Sequence, residues 1–173
     1  MSNEVYMKHG TAVIWTQGGA DEELQLDGLA SGATLAGSYY DRGDLSVSPG
    51  PDLFLWELHV DGFATSPVVG ETVNLYFAQS SDASKWDGEL TSNPTASNDS
   101  PSGPTVAMLA NQLFAGSLSV ITTTSGDELT GRGLVRLYSR YVSPVVYNAT
   151  ADNLSSTGNH TAILTPIFYQ SQT

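Results

Sequence analysis

The side chains that most often carry out chemistry in enzymes are few in this sequence, and they lie far apart. The three histidines are His9, His59 and His160, and no two of them have the spacing of metal ligands. His59 alternates with apolar residues, which is typical of a packed or surface strand residue rather than a catalytic base. The chain contains no phosphate-binding glycine loop, no His-Glu-x-x-His motif and no Gly-x-Ser-x-Gly elbow. We therefore predict no catalytic residue, no cofactor and no enzymatic activity.

Acidic residues are abundant, and two small groups of them could help to hold Ca²⁺. One is Asp21-Glu22-Glu23, and the other is Asp82 with Asp87. The second group lacks the ligand spacing of a calcium loop, and a turn followed by glycine is the simpler interpretation. Two carboxylates could also meet in the fold as a glycosidase pair, but nothing in the sequence nominates a pair. The prediction is therefore that the chain has no metal site.

Positive charge is clustered in one place, at Arg132, Arg136 and Arg140. On an extended strand this even spacing places all three on one face with Leu134, while Val135 points to the core. A row of guanidinium groups in so acidic a protein could bind the carboxylates of a neighbouring protein in a bidentate way. The alternative is that the arginines pair with acidic residues of the same chain.

The elements that must position these residues are strands. Residues 53–60 alternate, with Phe54, Trp56, Leu58 and Val60 on one face, and residues 73–77 repeat the pattern. The turn-forming residues between the two segments predict that they pair as antiparallel neighbours. Further strands are predicted at residues 12–16, 24–29, 38–40, 118–122, 134–138, 145–147 and 162–169. Many short strands, punctuated by 17 glycines and 8 prolines, are typical of a β-sandwich or barrel.

The length of 173 residues suits one domain. We predict a single β-domain over residues 11–173, preceded by an N-terminal arm at residues 1–10. Residues 91–105 are polar and contain three prolines, which predicts a long exposed loop. Residues 106–114 follow it and fit either a short helix or a strand.

Charge and composition exclude several classes of partner. The formal net charge is −12 and the pI is about 4.2, so repulsion disfavours binding to nucleic acid or to an anionic membrane surface. The apolar runs are too short to span a bilayer. The chain has no cysteine, so it forms no disulfide and no thiolate metal site. These features predict a soluble acidic globular domain that binds neither nucleic acid nor membranes.

Two parts of the chain resemble small virion proteins of tailed bacteriophages. Residues 73–88 resemble a Val-x-Leu-Tyr strand that runs into a Ser-x-Asp-Gly-x-x-Tyr-x-Asp-Gly turn. Alanine and tryptophan replace the first glycine and the tyrosine, and the turn is one residue shorter. Residues 156–166 are similar to a closing Ser-Gly-Asn-Thr-Leu-x-Ile-x-Pro strand. The resemblance covers roughly residues 50–90 and 130–168, and its matching turn positions are Ser80, Asp82, Asp87 and Gly88.

This resemblance implies a head decoration (cement) protein on the outer capsid surface of the virion. Such a protein has a jelly-roll-like antiparallel β-sandwich and no catalytic site. It would bind adjacent subunits of the major capsid protein, as a homo-oligomer, a trimer or dimer at a capsid symmetry axis. The candidate contact residues are Tyr6 and Lys8 in the predicted arm, together with Arg132, Arg136 and Arg140.

A second hypothesis is a carbohydrate-binding module of a phage tail or head fibre. Its aromatic side chains would stack on sugar rings in an exposed groove. The candidates for this role are Trp15, Trp86, Tyr39 and Tyr40. The two hypotheses differ in their requirements, because sugar binding needs exposed aromatic rings, whereas capsid binding needs a flat apolar patch.

Overall fold

The structure is a computed structural model that describes residues 5–19, 22–43, 45–46, 50–88 and 104–171. Its strands, β1 to β10, follow one another along the chain as Val5–His9, Val13–Thr16, Thr34–Ala36, Tyr40–Asp41, Leu53–Asp61, Thr72–Ser80, Leu113–Ser119, Glu128–Arg136, Tyr141–Asn148 and Thr161–Ser171. A short 3-10 helix, Val106–Asn111, precedes β7.

The strands form two five-stranded antiparallel sheets packed face to face. The first sheet has the order β1-β10-β5-β8, with β2 also paired to β10, and the second has the order β3-β9-β6-β7, with β4 also paired to β9. If β1–β2 and β3–β4 are each counted as one broken strand, this is the strand order of an eight-stranded jelly roll. The chain is therefore an all-β protein with a jelly-roll-like β-sandwich, as predicted.

The core between the sheets follows the predicted alternation. Phe54, Trp56, Leu58 and Val60 of β5 are buried. Val73, Leu75 and Phe77 of β6 are buried opposite them, in the same apolar cluster. Both predicted inward faces are confirmed.

The predicted pairing of these two strands with each other is wrong. Strand β5 pairs with β8 and β10, whereas β6 pairs with β7 and β9. The connection, residues 62–71, crosses from one sheet to the other, and its Phe63 is buried and bridges to Leu154. Placing β5 and β6 in opposite sheets brings their two apolar faces together across the core, which alternation alone does not specify.

Trp56 occupies space that two glycines leave open. A Cβ at Gly116 of β7, in the opposite sheet, would overlap the indole and lie 2.9 Å from its Cη2 atom. A Cβ at Gly133 of β8, in the same sheet, would lie 2.7 Å from its Nε1 atom. Since real Cβ contacts are not this short, glycine at both positions is what admits the tryptophan between the sheets.

Arg42 holds together three segments of backbone beside the core. Its Nη1 atom donates to the carbonyl oxygens of Leu137 at 2.9 Å and Ser139 at 2.7 Å. Its Nη2 atom donates to the carbonyl oxygen of Pro51, and the guanidinium lies 5.1 Å from the centre of the Phe54 ring. Arg42 therefore has a structural role, because its guanidinium group links backbone segments that are remote in sequence.

Several predicted elements differ from the observed ones. Residues 24–29 form an irregular segment with a turn at residues 27–28 rather than a strand, although Leu24, Leu26 and Leu29 are buried. The strand β3 was not predicted, because three residues carry too little alternation to be detected. Residues 106–114 contain both predicted alternatives, since the 3-10 helix ends at Asn111 and β7 begins at Leu113.

Two further predictions concern the N-terminal arm and the long polar loop. Within the predicted arm, residues 5–9 form β1, which pairs with β10. Of the predicted loop at residues 91–105, only Pro104 and Thr105 lie among the described residues. No helix in the described part of the chain has the length and apolar character needed to cross a membrane.

Candidate protein-binding surface

The predicted arginine face lies along β8, the edge strand of the first sheet. Arg132 and Arg136 point to solvent with Leu134, which is 61% exposed. Val135 is buried on the opposite face, so the predicted division of this strand is confirmed. Arg140 follows the end of β8, at the turn into β9, so the prediction that all three arginines lie on one extended strand is wrong for Arg140.

Each of the three arginines forms an ion pair with an acidic residue of this chain. Arg132 pairs with Glu57 on β5, at 2.5 Å between Nε and Oε2. Arg136 pairs with Asp52, at 3.1 Å between Nη1 and Oδ2. The intramolecular alternative is therefore the arrangement in the structure, and such exposed pairs typically contribute less than about 1 kcal/mol each.

The third arginine has the most specific geometry. Arg140 donates from Nε and Nη2 to the two carboxylate oxygens of Asp41, at 2.8 and 2.7 Å. Its guanidinium also lies 4.8 Å from the centre of the Tyr141 ring. The hydrogen bond from Arg140 is the main cause that lowers the pKa of Asp41. This fork occupies the guanidinium edge that a partner carboxylate would use.

An apolar strip crosses the outer face of the first sheet. It consists of Ile14 on β2, Ile163 on β10, Leu55 on β5 and Leu134 on β8, and we call these four residues the outer strip. Ile14 lies opposite Ile163, and Leu55 lies opposite Leu134, in the registers of adjacent strands. Ile14 is 50% exposed, and Ile163 and Leu55 are partly exposed. Large apolar side chains therefore reach solvent on four neighbouring strands.

Polar and charged groups surround the outer strip. The Glu57–Arg132 pair continues the row of Ile14 and Ile163 on β5 and β8, because Glu57 lies opposite Ile163, and Thr165 lies opposite Leu55 on β10. Exposed apolar side chains next to polar and ion-paired groups are a usual composition of a protein–protein interface. A sheet face that is exposed only to water normally carries polar residues at the positions that the outer strip occupies.

The chain itself covers part of the outer face of the second sheet, and Phe114 on β7 stays 52% exposed there. Trp86, from the connection after β6, and Leu109, from the 3-10 helix, pack with Ala36, Ala78 and Val145 in a second apolar cluster. These residues are buried. The described residues place no such cover over the outer strip of the first sheet, where Ile14 and Leu134 are 50% and 61% exposed.

The aromatic residues proposed for sugar stacking are mostly enclosed. Trp15 is fully buried and donates from Nε1 to the carbonyl oxygen of Ser38 at 2.9 Å. Trp86 is buried in the second cluster. Tyr39 is partly exposed and packs edge-on against Tyr141, with the ring centres 5.2 Å apart. Neither tryptophan presents a ring face to solvent.

Two of the histidines and one proposed calcium residue, Asp82, have structural contacts, and Asp21 lies outside the described residues. His59 lies 3.1 Å from Thr130 Oγ1, and His160 is buried, where its Nδ1 accepts from the backbone N–H of Asp61 at 3.0 Å. Asp82 accepts hydrogen bonds from backbone N–H groups of its own turn. Among the described residues, no three histidine or acidic side chains lie close enough to hold a metal ion.

The remaining predicted contact residues lie on β1. Tyr6 is opposite Gln170 and Lys8 is opposite Phe168 in the register with β10. Lys8 is exposed.

Sequence reasoning missed the part of the outer strip that lies on β2 and β10. One signal was available, since residues 162–164 of β10 are Ala-Ile-Leu and are apolar on both faces of the strand. A strand of this kind is expected where a second surface covers its outer face.

The solved structures that are similar to this chain include a sugar-binding domain and murine APRIL, both remote. No protein-family model and no curated protein sequence matches the chain. The sugar-binding C-terminal domain of EclA is 8% identical with a TM-score of 0.36, over 98% of this chain and 79% of that one. Murine APRIL, in a crystal structure at pH 5.0, is 9% identical with a TM-score of 0.39, over 91% of this chain and 98% of that one. The chain is thus similar to both proteins only at a low level.

Proposed function

We propose that this chain is a non-enzymatic virion structural protein that decorates the head of a tailed bacteriophage. Its outer strip docks on adjacent subunits of the major capsid protein and cements them on the outer capsid surface. The observation that carries this proposal is the exposed apolar strip across β2, β10, β5 and β8. The resemblance of residues 50–90 and 130–168 to phage virion proteins supports the choice of partner.

The energetics of such a surface favour a protein partner. Exposed apolar area on a flat sheet is stabilised by contact with another flat surface, at about 25 cal/mol per Å² of apolar area buried. Glu57, which lies opposite Ile163, already has its partner Arg132, so docking on the strip covers a paired rather than an unpaired charge. On a capsid lattice many weak contacts act together, so one strip of four side chains is sufficient for each copy.

The test is co-sedimentation of the purified protein with shells assembled from the major capsid protein alone. We expect saturable binding at a fixed ratio to capsid subunits. Leu134→Asp places a charge in the strip and should weaken binding by about tenfold or more, since it loses an apolar contact and buries a carboxylate. Ile121→Asp is the matched control, because Ile121 is a 76% exposed apolar residue outside the strip.

Two results would contradict the proposal. The first is an absence of shell binding by protein that is folded by circular dichroism. The second is equal binding by Leu134→Asp and Ile121→Asp.

The carbohydrate-binding alternative would depend on Tyr39, which is partly exposed and packs against Tyr141 beside the Arg140–Asp41 pair. An aromatic ring next to a carboxylate and a guanidinium is suited to sugar rings and hydroxyl groups. A glycan array tests this alternative. A signal that Tyr39→Ala abolishes, together with an absence of shell binding, would replace the capsid proposal.

A further inference from the structure

Strand β1 and the end of β10 form a two-stranded ribbon at the edge of the first sheet. The pairing of β10 with β5 ends at Pro166, and residues 167–171 of β10 pair with β1, Val5–His9. In the described part of the chain no strand pairs with either outer edge of this ribbon. A two-stranded ribbon is marginally stable by itself and leaves backbone hydrogen-bonding groups open at its edges.

The ribbon exposes large apolar side chains on both faces. Met7 and Tyr169 lie opposite each other on one face and are 65% and 57% exposed. Phe168 is exposed on the other face, opposite Lys8. Phe168 also lines an open groove with residues 8–11 where the ribbon meets the sandwich. Apolar exposure on both faces of so thin an element indicates that another surface packs against it.

The charge of the ribbon is opposite to that of the chain as a whole. Residues 5–10 contain Lys8 and His9 and no acidic residue, and residues 166–173 contain no charged residue. The whole chain has a net charge of −12. A second copy of this chain therefore offers an acidic surface that complements the ribbon.

We propose that the ribbon docks on the sandwich of a second copy of this chain and builds the homo-oligomer. The inference deepens the proposed decoration function, on which it rests, by naming the surface through which copies associate. Two copies that exchange ribbons form a closed two-fold dimer, whereas repetition of the contact in one direction closes into a ring when the rotation permits it. Either form suits a capsid symmetry axis.

The experiment is sedimentation velocity of the full chain in the absence of capsid shells, over a concentration series. The wild type should form a discrete oligomer. The double variant Met7→Asp/Tyr169→Asp should associate at least ~100-fold more weakly, because each apolar side chain buried at an interface contributes on the order of tenfold or more in affinity. Ile121→Asp, which changes an exposed apolar residue outside the ribbon, should associate as the wild type does.

A charge variant tests the choice of partner. Lys8→Glu removes a positive charge from the ribbon and adds a negative one, so it should weaken self-association, most strongly at low salt. If shell binding were lost in the double variant while self-association stayed intact, the ribbon would belong to the capsid contact and the inference would be overturned.

The wild type remaining a monomer throughout the series would also overturn it. Neither result bears on the shell-binding test of Leu134→Asp, so the two proposals fail separately. Far-ultraviolet circular dichroism of each variant shows whether it is folded.

Discussion

Replacing Gly116 with alanine tests whether the space around Trp56 sets the packing of the two sheets. The new methyl group would overlap the indole, which Gly133 contacts from the same sheet. Overpacking of a core by one methyl group costs about 1–3 kcal/mol. Loss of glycine entropy in the unfolded chain offsets about 0.4–1 kcal/mol of this. We expect a net destabilisation of about 1–1.5 kcal/mol, which lowers the Tm by roughly 2–6 °C at this chain length.

The assay is urea unfolding followed by tryptophan fluorescence, with Gly126→Ala as the matched control. A Cβ at Gly126 meets no atom within 4 Å, so this control should be unchanged or slightly more stable. Trp56→Phe provides a second background, since the smaller ring leaves room for the methyl group. It also removes a buried Nε1 atom that has no hydrogen-bond partner among the described residues.

The decisive quantity is the difference between the destabilisation that Gly116→Ala causes beside Trp56 and the destabilisation that it causes in the Trp56→Phe background. Gly116→Ala should cost at least ~1 kcal/mol less in the Trp56→Phe background than beside the natural tryptophan, which is a coupling expected of residues in contact. Equal costs in both backgrounds, or equal midpoints for Gly116→Ala and Gly126→Ala, would refute the packing argument.

Two further predictions concern Arg42 and Asp82. Arg42→Lys loses the planar guanidinium fork that donates to three backbone carbonyls. Urea unfolding should therefore show a free energy of unfolding that is about 2 kcal/mol lower. An unchanged unfolding midpoint would show that the fork is dispensable. The backbone N–H groups of Ser84 and Lys85 lower the pKa of Asp82 to about 2. This folded-state pKa lies below the unfolded-state pKa of about 3.9. The ionised carboxylate of Asp82 therefore stabilises the turn fully at a pH above the unfolded-state pKa, and this stabilisation is lost as the pH falls through about 2. A carboxyl titration by NMR should have its midpoint there, and an ordinary midpoint for Asp82 would contradict the hydrogen-bonding pattern.

Alternation along the chain was sufficient to predict the main strands and their inward faces. The side chains of β5 and β6 point where period two requires, because a half-buried strand exposes every second residue to one environment. The same argument placed Arg132 and Leu134 on the solvent face of β8. Such patterns are local, so one sequence is enough to detect them.

The pairing of the strands could not be predicted in the same way. Alternation states that one face of β5 is buried, but it does not state which strand lies beside it. The partners of the arginines are equally hidden, since Glu57 and Arg132 are 75 residues apart and meet only through the register of β5 with β8. The burial of Trp15 and Trp86 also depends on segments that are remote in sequence.

The sequence by itself therefore determined the β class of this protein, the inward faces of its main strands and its acidic character. These properties depend on residue type and on contacts between near neighbours in the chain. The tertiary structure decided the jelly-roll order and assembled the outer strip, because Ile14, Leu55, Leu134 and Ile163 come from four distant segments. It also decided that the arginines are paired within the chain and that the ribbon of β1 and β10 stands at the edge of the sheet, since both depend on long-range strand register.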